Sequence, residues 1–210
     1  MGGHTGRVWA LAAVPGLDGT IMLASAGDDA TVRLWEPIGG NPVGPPTRGH
    51  TARVLALAVV PGPDGVSLLA SAGDDGAIRL SDPISGDPYL PPLVGHRGGV
   101  LALAVRPDPT GSPLILSAGV DRTVRIWDLT GACRQVVPVG TMAQSVSWTN
   151  HGLAIAGDEG LALVSIRQPK ELSEREHDAR DVDLRGGPVG DSGGEPSAVA
   201  SVRATRPRTG

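Results

Sequence analysis

The segment Leu23–Trp35, L-A-S-A-G-D-D-A-T-V-R-L-W, determines the fold because it occurs three times in the 210 residues. It returns as Leu69–Ser81, L-A-S-A-G-D-D-G-A-I-R-L-S, and as Ile115–Trp127, I-L-S-A-G-V-D-R-T-V-R-I-W. Residues 5–50 and 51–96 agree at 28 of 46 positions without a gap. Such self-similarity at a fixed period indicates a repeat architecture. A Gly-His pair precedes each copy, in steps of 46 residues: Gly3-His4, Gly49-His50 and Gly95-His96.

Within each unit the local signals are those of β-structure. The unit opens with an apolar run that is too short for a helix, such as residues 7–14, and turn-forming residues close it. A second run and a tight Gly-Asp-Asp turn lead to Thr31–Trp35, which alternates apolar and polar residues as a half-buried strand does. The last segment, Asn41–Thr47 in unit 1 and Asp87–Leu93 in unit 2, is rich in proline. It fits only an edge strand, because proline cannot donate to a β-ladder.

A weaker fourth unit follows the three good copies. Strands are predicted at Gln144–Trp148, Leu153–Ala156 and Leu161–Ile166. An alignment without gaps places Ser165 at the position of Trp127. The remaining residues are highly charged and too polar to bury a core, so they are expected to be disordered. The predicted boundaries are approximately 1–48, 49–94, 95–140 and 141–167 for the units and 168–210 for the tail.

The composition favours a cytoplasmic protein that binds neither nucleic acid nor membrane. The formal net charge is −4, which gives no basic surface to neutralise phosphates. The apolar run at residues 8–14 is too short for a signal-peptide core or a membrane span. Cys133 is the single cysteine, which suits a reducing compartment. The strong preference for arginine over lysine is typical of a high-GC genome and predicts a bacterial, actinobacterial source.

The Gly-His pair, the Leu-Ala-Ser-Ala-Gly-Asp-Asp stretch and the Val-Arg-Leu-Trp-Glu stretch together resemble the WD40 repeat of β-propellers. Unit 3 is the most similar, with Trp127-Asp128 at the signature dipeptide, whereas unit 1 has Trp35-Glu36 and unit 2 departs with Ser81-Asp82. The resemblance covers approximately residues 3–167. It implies an all-β fold of WD40-type blades, three of them good and a fourth degenerate, in a partial propeller.

The resemblance also implies a structural tetrad of His, Ser, Asp and Trp in each blade, joined by a buried hydrogen-bond chain. Ser81 stands where unit 2 should carry tryptophan. Loss of a buried tryptophan usually costs about 3–5 kcal/mol, so blade 2 is expected to be softer unless other contacts compensate. Carried over by position, the tetrad residues are His4, Ser25, Asp29 and Trp35 in unit 1, His50, Ser71 and Asp75 in unit 2, and His96, Ser117, Asp121 and Trp127 in unit 3.

Serine, histidine and aspartate in one unit also suggest a hydrolase, but the structural interpretation is favoured. A catalytic triad is needed once, with an exposed serine, whereas this set recurs in three units in the same register. The Asp28-Asp29 and Asp74-Asp75 pairs fall in turns, where aspartate is favoured for local backbone bonding, and no EF-hand spacing accompanies them. We therefore expect no catalytic residue, no metal and no cofactor.

The predicted function is a non-catalytic protein–protein interaction scaffold with a protein partner of unknown identity, as the resemblance implies. Trp9 is either a surface anchor or a core residue, because the matching residues are Leu55 and Leu101. A truncated fragment of a larger WD40 signalling or defence protein is the alternative, followed by a propeller hydrolase. Roughly seven blades usually close such a ring. Two copies could therefore pair as a homodimer, a neighbouring polypeptide could supply the rest, or the chain could be a fragment.

Overall fold

The computed structural model describes residues 3–106, 112–149, 152–158 and 160–164. Within these ranges the chain consists of β-strands, turns and one short 3-10 segment, Pro63–Gly65. No helix there has the length and apolar character needed to cross a bilayer. The strands form four antiparallel sheets, which confirms the all-β prediction. The predicted tail at 168–210 and the position of Ser165 lie outside the described residues.

Each sheet, called a blade below, is a meander in which strands pair with their neighbours in sequence. Blades 1 and 3 have four strands, and blades 2 and 4 have three. Blade 1 contains β1 (Val8–Pro15), β2 (Ile21–Gly27), β3 (Val32–Trp35) and β4 (Pro42–Thr47). Blade 2 contains β5 (Val54–Pro61), β6 (Ser67–Gly73) and β7 (Ile78–Ser81). Blade 3 contains β8 (Val100–Arg106), β9 (Leu114–Gly119), β10 (Thr123–Trp127) and β11 (Cys133–Pro138). Blade 4 contains β12 (Ala143–Thr149), β13 (Gly152–Gly157) and β14 (Gly160–Val164).

The prediction of an outer strand at Asp87–Leu93 is wrong. This segment meets β7 at only two isolated bridges, Ile78 with Leu93 and Ser81 with Pro88. Proline does not explain the difference, because β4 has prolines at the same three repeat positions. Between the two bridges the amide of Tyr89 donates to the carbonyl of Leu80 at 2.8 Å, so the segment follows β7 without forming a continuous ladder. The outer part of blade 2 is therefore irregular, whereas blade 1 has a six-residue β4 at the matching place.

Blade 4 has a different register from the one that a gapless alignment predicts. Val164 pairs with Leu153 in β13, as Trp127 pairs with Ile115 in blade 3. The β13–β14 hairpin is one residue shorter than its counterpart in blade 3, because Gly157 already pairs with Gly160. Val164 therefore occupies the position that the gapless alignment gave to Ser165.

Three hydrophobic cores lie between successive blades. Because the inner blades are covered on both faces, their strands are apolar on both faces, which explains the continuous apolar runs of β5 and β6. The core between blades 1 and 2 contains Val14, Ala24, Leu34 and Leu69, the next contains Val60, Leu80, Ile115 and Trp127, and the third contains Leu116, Ile126, Val146 and Leu153. Along each strand, alternate side chains thus face the preceding blade, and the side chains between them face the following blade.

Every blade carries an irregularity in the same place on its first strand. In blade 2 the register shifts between Val54 and Ala56, opposite Gly73. The amide of Asp74 donates to the carbonyl of Arg53 there, at 2.9 Å. A side chain on Gly73 would overlap that carbonyl oxygen, so glycine is required for this close approach of two strands.

Candidate functional site

The predicted tetrad residues of blade 1 lie together in one hydrogen-bonded chain. The turn after β2 places Asp29 below the Gly-His segment, and Nδ1 of His4 lies 2.9 Å from its Oδ1. Nε2 of His4 lies 2.8 Å from Oγ of Ser25 in β2. The indole Nε1 of Trp35 in β3 donates to the same oxygen at 2.7 Å. The four side chains therefore connect the loop before the blade to its two central strands.

The chemistry of these groups determines which atom donates and which accepts in each of these hydrogen bonds. An ionised carboxylate can only accept, so the ring proton of His4 is assigned to Nδ1, which donates to Asp29. Nε2 of the neutral ring is then an acceptor, and the hydroxyl of Ser25 donates to it. The serine oxygen keeps lone pairs and accepts the indole N–H of Trp35. Because each serine donates its own hydroxyl proton to histidine, its acceptor lone pairs need a donor from another residue, and in blade 1 that donor is the indole of Trp35.

Blade 3 repeats this arrangement almost unchanged. Nδ1 of His96 lies 3.0 Å from Asp121, and its Nε2 lies 2.7 Å from Oγ of Ser117. Trp127 donates to Ser117 at 2.8 Å. The hydroxyl of Thr123 also donates to Asp121, at 2.8 Å. This threonine, like Thr31 in blade 1, was not singled out from the sequence, although its place two residues after the aspartate is the signal for it.

Blade 2 has the same His, Ser and Asp geometry without the tryptophan. Nδ1 of His50 lies 2.9 Å from Asp75, and its Nε2 lies 2.9 Å from Oγ of Ser71. Ser81 pairs with Leu69 across the sheet, as Trp127 pairs with Ile115 in blade 3, so Ser81 occupies the tryptophan position. No donor from the described residues takes the place of the indole N–H on Ser71.

Ionisation in these chains follows from burial and hydrogen bonding. Burial lowers the pKa of both His50 and His96 despite the nearby aspartates, which keeps the rings neutral. Burial by itself would raise the pKa of Asp121, but the backbone N–H of Arg97 and the hydroxyl of Thr123 outweigh it and lower that pKa to about 2. In blades 2 and 3 an ionised aspartate beside a neutral histidine is therefore the state at neutral pH.

A cavity of about 500 Å³ opens beside Ser81 in blade 2. This cavity lies at the position where unit 2 lacks the tryptophan of units 1 and 3. Leu80 and the segment 88–92 contribute apolar wall, and polar groups converge from both sides of the cavity. The lining includes Thr47 and Arg48 of blade 1 and His50, Ser71, Arg79, Ser81 and Tyr89 of blade 2.

In blades 1 and 2 a second aspartate directly precedes the tetrad aspartate and makes different contacts. Asp28 accepts from the indole Nε1 of Trp9 at 2.5 Å. Asp74, at the same position in blade 2, accepts from Nε of Arg53 at 2.6 Å. Trp9 is 45% exposed, so it lies at the surface rather than in a core. The guanidinium of Arg53 lies 6.0 Å from the centre of the Trp9 ring. These contacts link blade 1 to blade 2 at the edge of the Asp-Asp turns.

Blade 4 has no histidine chain of this kind among its described residues. Ile155 pairs in β13 where the other blades have serine, and the hydroxyl of Thr141 donates to Asp158 instead. Across all described ranges, no group of three or more His, Cys, Asp or Glu side chains is arranged to hold a metal ion. The polar chemistry of the described part of the chain therefore concentrates in blades 1 to 3.

Comparison with known proteins places this geometry in a family. The family profile described as "WD domain, G-beta repeat" matches residues 1–36, 43–82 and 89–128, which together are more than half of the chain. No curated protein sequence matches significantly. Among solved structures, the WD40 beta propeller domain of Doa1 is similar, with a TM-score of 0.62 and 29% identity over 76% of this chain. The chain spans 50% of that domain, so it corresponds to an open part of a propeller. This chain belongs to the WD40 repeat family.

Proposed function

We propose that this chain is a non-catalytic scaffold for protein–protein interactions and that the uncovered faces of its terminal blades are interaction surfaces. The family supports the general role, because WD40 propellers are generally non-catalytic interaction scaffolds. We also propose that it acts in a bacterial cytoplasm, and that the His-Ser-Asp chains serve the architecture of the blades. The exposure of Leu23 on blade 1 is the observation that carries the proposal.

The face of blade 1 that should meet a preceding blade is uncovered. Leu23 is 38% exposed, whereas Leu69 and Ile115, at the same position in blades 2 and 3, are 2% and 0% exposed. Leu11 on the neighbouring strand is 61% exposed. The same repeat position is therefore core in the inner blades and surface in the first one. Exposed apolar faces of this kind mark interaction sites or aggregation liabilities.

The face of blade 4 that should meet a following blade is uncovered in the same way. The register of β14 aligns Leu161 and Leu163 with Val124 and Ile126 of blade 3. The blade 3 side chains are at most 4% exposed, because blade 4 covers them, whereas Leu161 is 66% and Leu163 is 54% exposed. Both ends of the array thus present the type of surface that the inner blades bury.

These two faces are complementary in kind, since each is half of an interblade interface. A second copy could therefore place its blade 4 against blade 1 of the first copy and its blade 1 against blade 4. Two copies contribute eight blades, which lies within the usual range for a closed propeller ring. The contact is heterologous, and a two-fold arrangement closes it without leaving a free end.

The mass in solution tests this assembly. The 21.3 kDa chain should elute at twice its mass in gel filtration with light scattering. Leu23→Arg and Leu163→Arg, each alone, damage every interface of the ring and should give monomers. An equal mixture of the two variants retains one intact interface and should recover a dimer. Leu17→Arg is the matched control, because Leu17 is 80% exposed in the turn between β1 and β2 rather than on a strand.

A protease-resistant wild-type monomer would overturn the dimer, as would dimers of both single variants. If the chain is instead part of a longer WD40 protein, the same faces are covered by blades of that protein. The isolated chain then aggregates without a defined stoichiometry, and Leu23→Arg reduces the aggregation without producing a complementing pair.

A further inference from the structure

We propose that the cavity beside Ser81 in blade 2 binds the indole side chain of a tryptophan that a partner protein presents. This site is separate from the terminal faces of the array and does not depend on their pairing. The cavity exists because Ser81 stands at the position where blades 1 and 3 each supply a tryptophan. The occupant is therefore identified from the molecule itself, by what fills the equivalent space in its own repeats.

The two internal tryptophans show how an indole fits this position. Nε1 of Trp35 donates to Ser25 at 2.7 Å, and Nε1 of Trp127 donates to Ser117 at 2.8 Å. The Trp35 ring lies 6.5 Å from the His4 ring, measured between centroids. In both blades the indole donates to the hydroxyl that is already bound to the histidine. An indole that enters blade 2 meets the same pair of groups, Ser71 and His50.

The acceptor for that indole is in place and unused. The hydroxyl of Ser71 donates to Nε2 of His50, at 2.9 Å, so its remaining lone pairs are available to the cavity that it lines. Ser71 is only 5% exposed, so bulk water does not compete freely for this oxygen. A buried acceptor without a donor is costly, and a donor of the right shape relieves that cost. The indole N–H is the donor that the repeat itself uses.

The surroundings of Gly49 and Gly95 compare the two blades with and without the indole. In blade 3, Cη2 of Trp127 lies 3.2 Å from the point where a Cβ on Gly95 would be, and Nη1 of Arg125 lies 2.8 Å from it. At the matching Gly49 of blade 2, the three nearest atoms all belong to Arg79. The guanidinium of Arg125 thus has a counterpart in blade 2, and the cavity lined by Arg79 and Ser81 lies where blade 3 has its indole. A guanidinium beside an aromatic ring also favours an aromatic occupant over an aliphatic one.

The cavity can be reached from outside at the irregular edge of blade 2. Pro88, Tyr89 and Pro91 line it and are exposed, and Tyr89 is 42% exposed. The segment that carries them is held to β7 by isolated bridges rather than by a ladder. A volume of about 500 Å³ exceeds one indole and leaves room for the adjacent backbone of a peptide. Tryptophan in a desolvated pocket with a tyrosine and proline rim is typical of the dominant contact of a protein interface.

The first experiment titrates the full chain with N-acetyl-5-fluorotryptophanamide and follows the fluorine signal by NMR, which the four tryptophans of the protein do not obscure. We expect saturable binding at one site. The 1-methyl derivative cannot donate a hydrogen bond, so its affinity should be roughly 3- to 10-fold weaker. Absence of saturable binding up to about 10 mM, or equal affinity of the two probes, overturns the proposal.

Variants locate the site. Ser81→Trp fills the cavity and should abolish binding, whereas Ser81→Ala keeps the space and should retain it. Ser71→Ala removes the acceptor and should weaken binding of the unmethylated probe to the level of the methylated one. Unchanged binding in a folded Ser81→Trp protein overturns the assignment. Should Ser81→Trp not fold, the comparison of the two probes on Ser71→Ala decides the same question. If the unmethylated probe still binds that variant more tightly than the methylated probe by the wild-type ratio, the role of Ser71 is contradicted.

A third comparison separates a partner's side chain from a small aromatic metabolite. The capped peptide Gly-Gly-Trp-Gly-Gly should bind at least as tightly as the tryptophan amide, because the rim has room for its backbone. If free 5-fluoroindole binds and the peptide does not, the pocket takes a small molecule, and the proposal of a partner's tryptophan is overturned.

Discussion

The substitution Ser81→Trp should stabilise blade 2 by returning an indole to a space that already exists. A buried aromatic side chain removes about 150–250 Å² from water, and at about 25 cal/mol per Å² this contributes about 4–6 kcal/mol. The hydrogen bond to Ser71 adds about 1 kcal/mol, and ordering the side chain costs about 1 kcal/mol. Trp35, at the same position, is only half-buried, and the rim at 88–92 must adjust. We therefore expect a net gain of about 2–4 kcal/mol, which overlaps the lower part of the loss of about 3–5 kcal/mol for removing a buried tryptophan.

For a domain of this size, each kcal/mol raises Tm by about 2–4 °C, so a rise of roughly 4–16 °C is expected. Calorimetry gives Tm, and hydrogen exchange at the amides of β5 to β7 shows whether the gain lies in blade 2. Ser81→Ala is the control, because it leaves the space empty and should not raise Tm. Trp127→Ser, which creates the same vacancy in blade 3, should lower stability by about 3–5 kcal/mol. A Tm for Ser81→Trp that is unchanged or lower would refute the view that this cavity is an indole vacancy.

Two further predictions concern the buried chains. Because burial lowers the pKa of His50 and His96 below the ordinary value of 6.5, the unfolded chain binds protons first as the pH falls. The unfolding free energy should be constant above about pH 6.5 and should decrease by up to about 1.4 kcal/mol per pH unit for each histidine below it. Urea unfolding at pH 7.5 and pH 5.5 measures this, and a stability that is higher at pH 5.5 contradicts neutral buried rings. For catalysis, wild type and Ser71→Ala should hydrolyse p-nitrophenyl acetate at the same slow rate, and a loss of rate in the variant would show that the Ser71 hydroxyl is a nucleophile.

The strand order and the strand positions of blades 1 and 3 follow from the sequence, because the repeat imposes the same alternation and the same turns on each copy. The tetrad set could be identified only by resemblance to a family, since nothing in the spacing of His4 and Asp29 shows that they meet. Their distance of 2.9 Å comes from the packing of the loop on the blade. The outer segment of blade 2 was predicted to match that of blade 1 because the prolines of both segments fall at the same repeat positions, so the sequence pattern does not distinguish the β4 strand from the bridged segment.

The sequence by itself determined the repeat, the all-β class, the number of units and the absence of tryptophan at Ser81, because each is a property of residue type and period. Tertiary structure alone decided what these features become. A missing indole becomes a cavity only if the segment 88–92 does not collapse into it, and that depends on contacts far apart in the chain. Leu23 and Leu69 occupy the same repeat position, yet one is exposed and the other is buried, because only packing determines which blade has a neighbour.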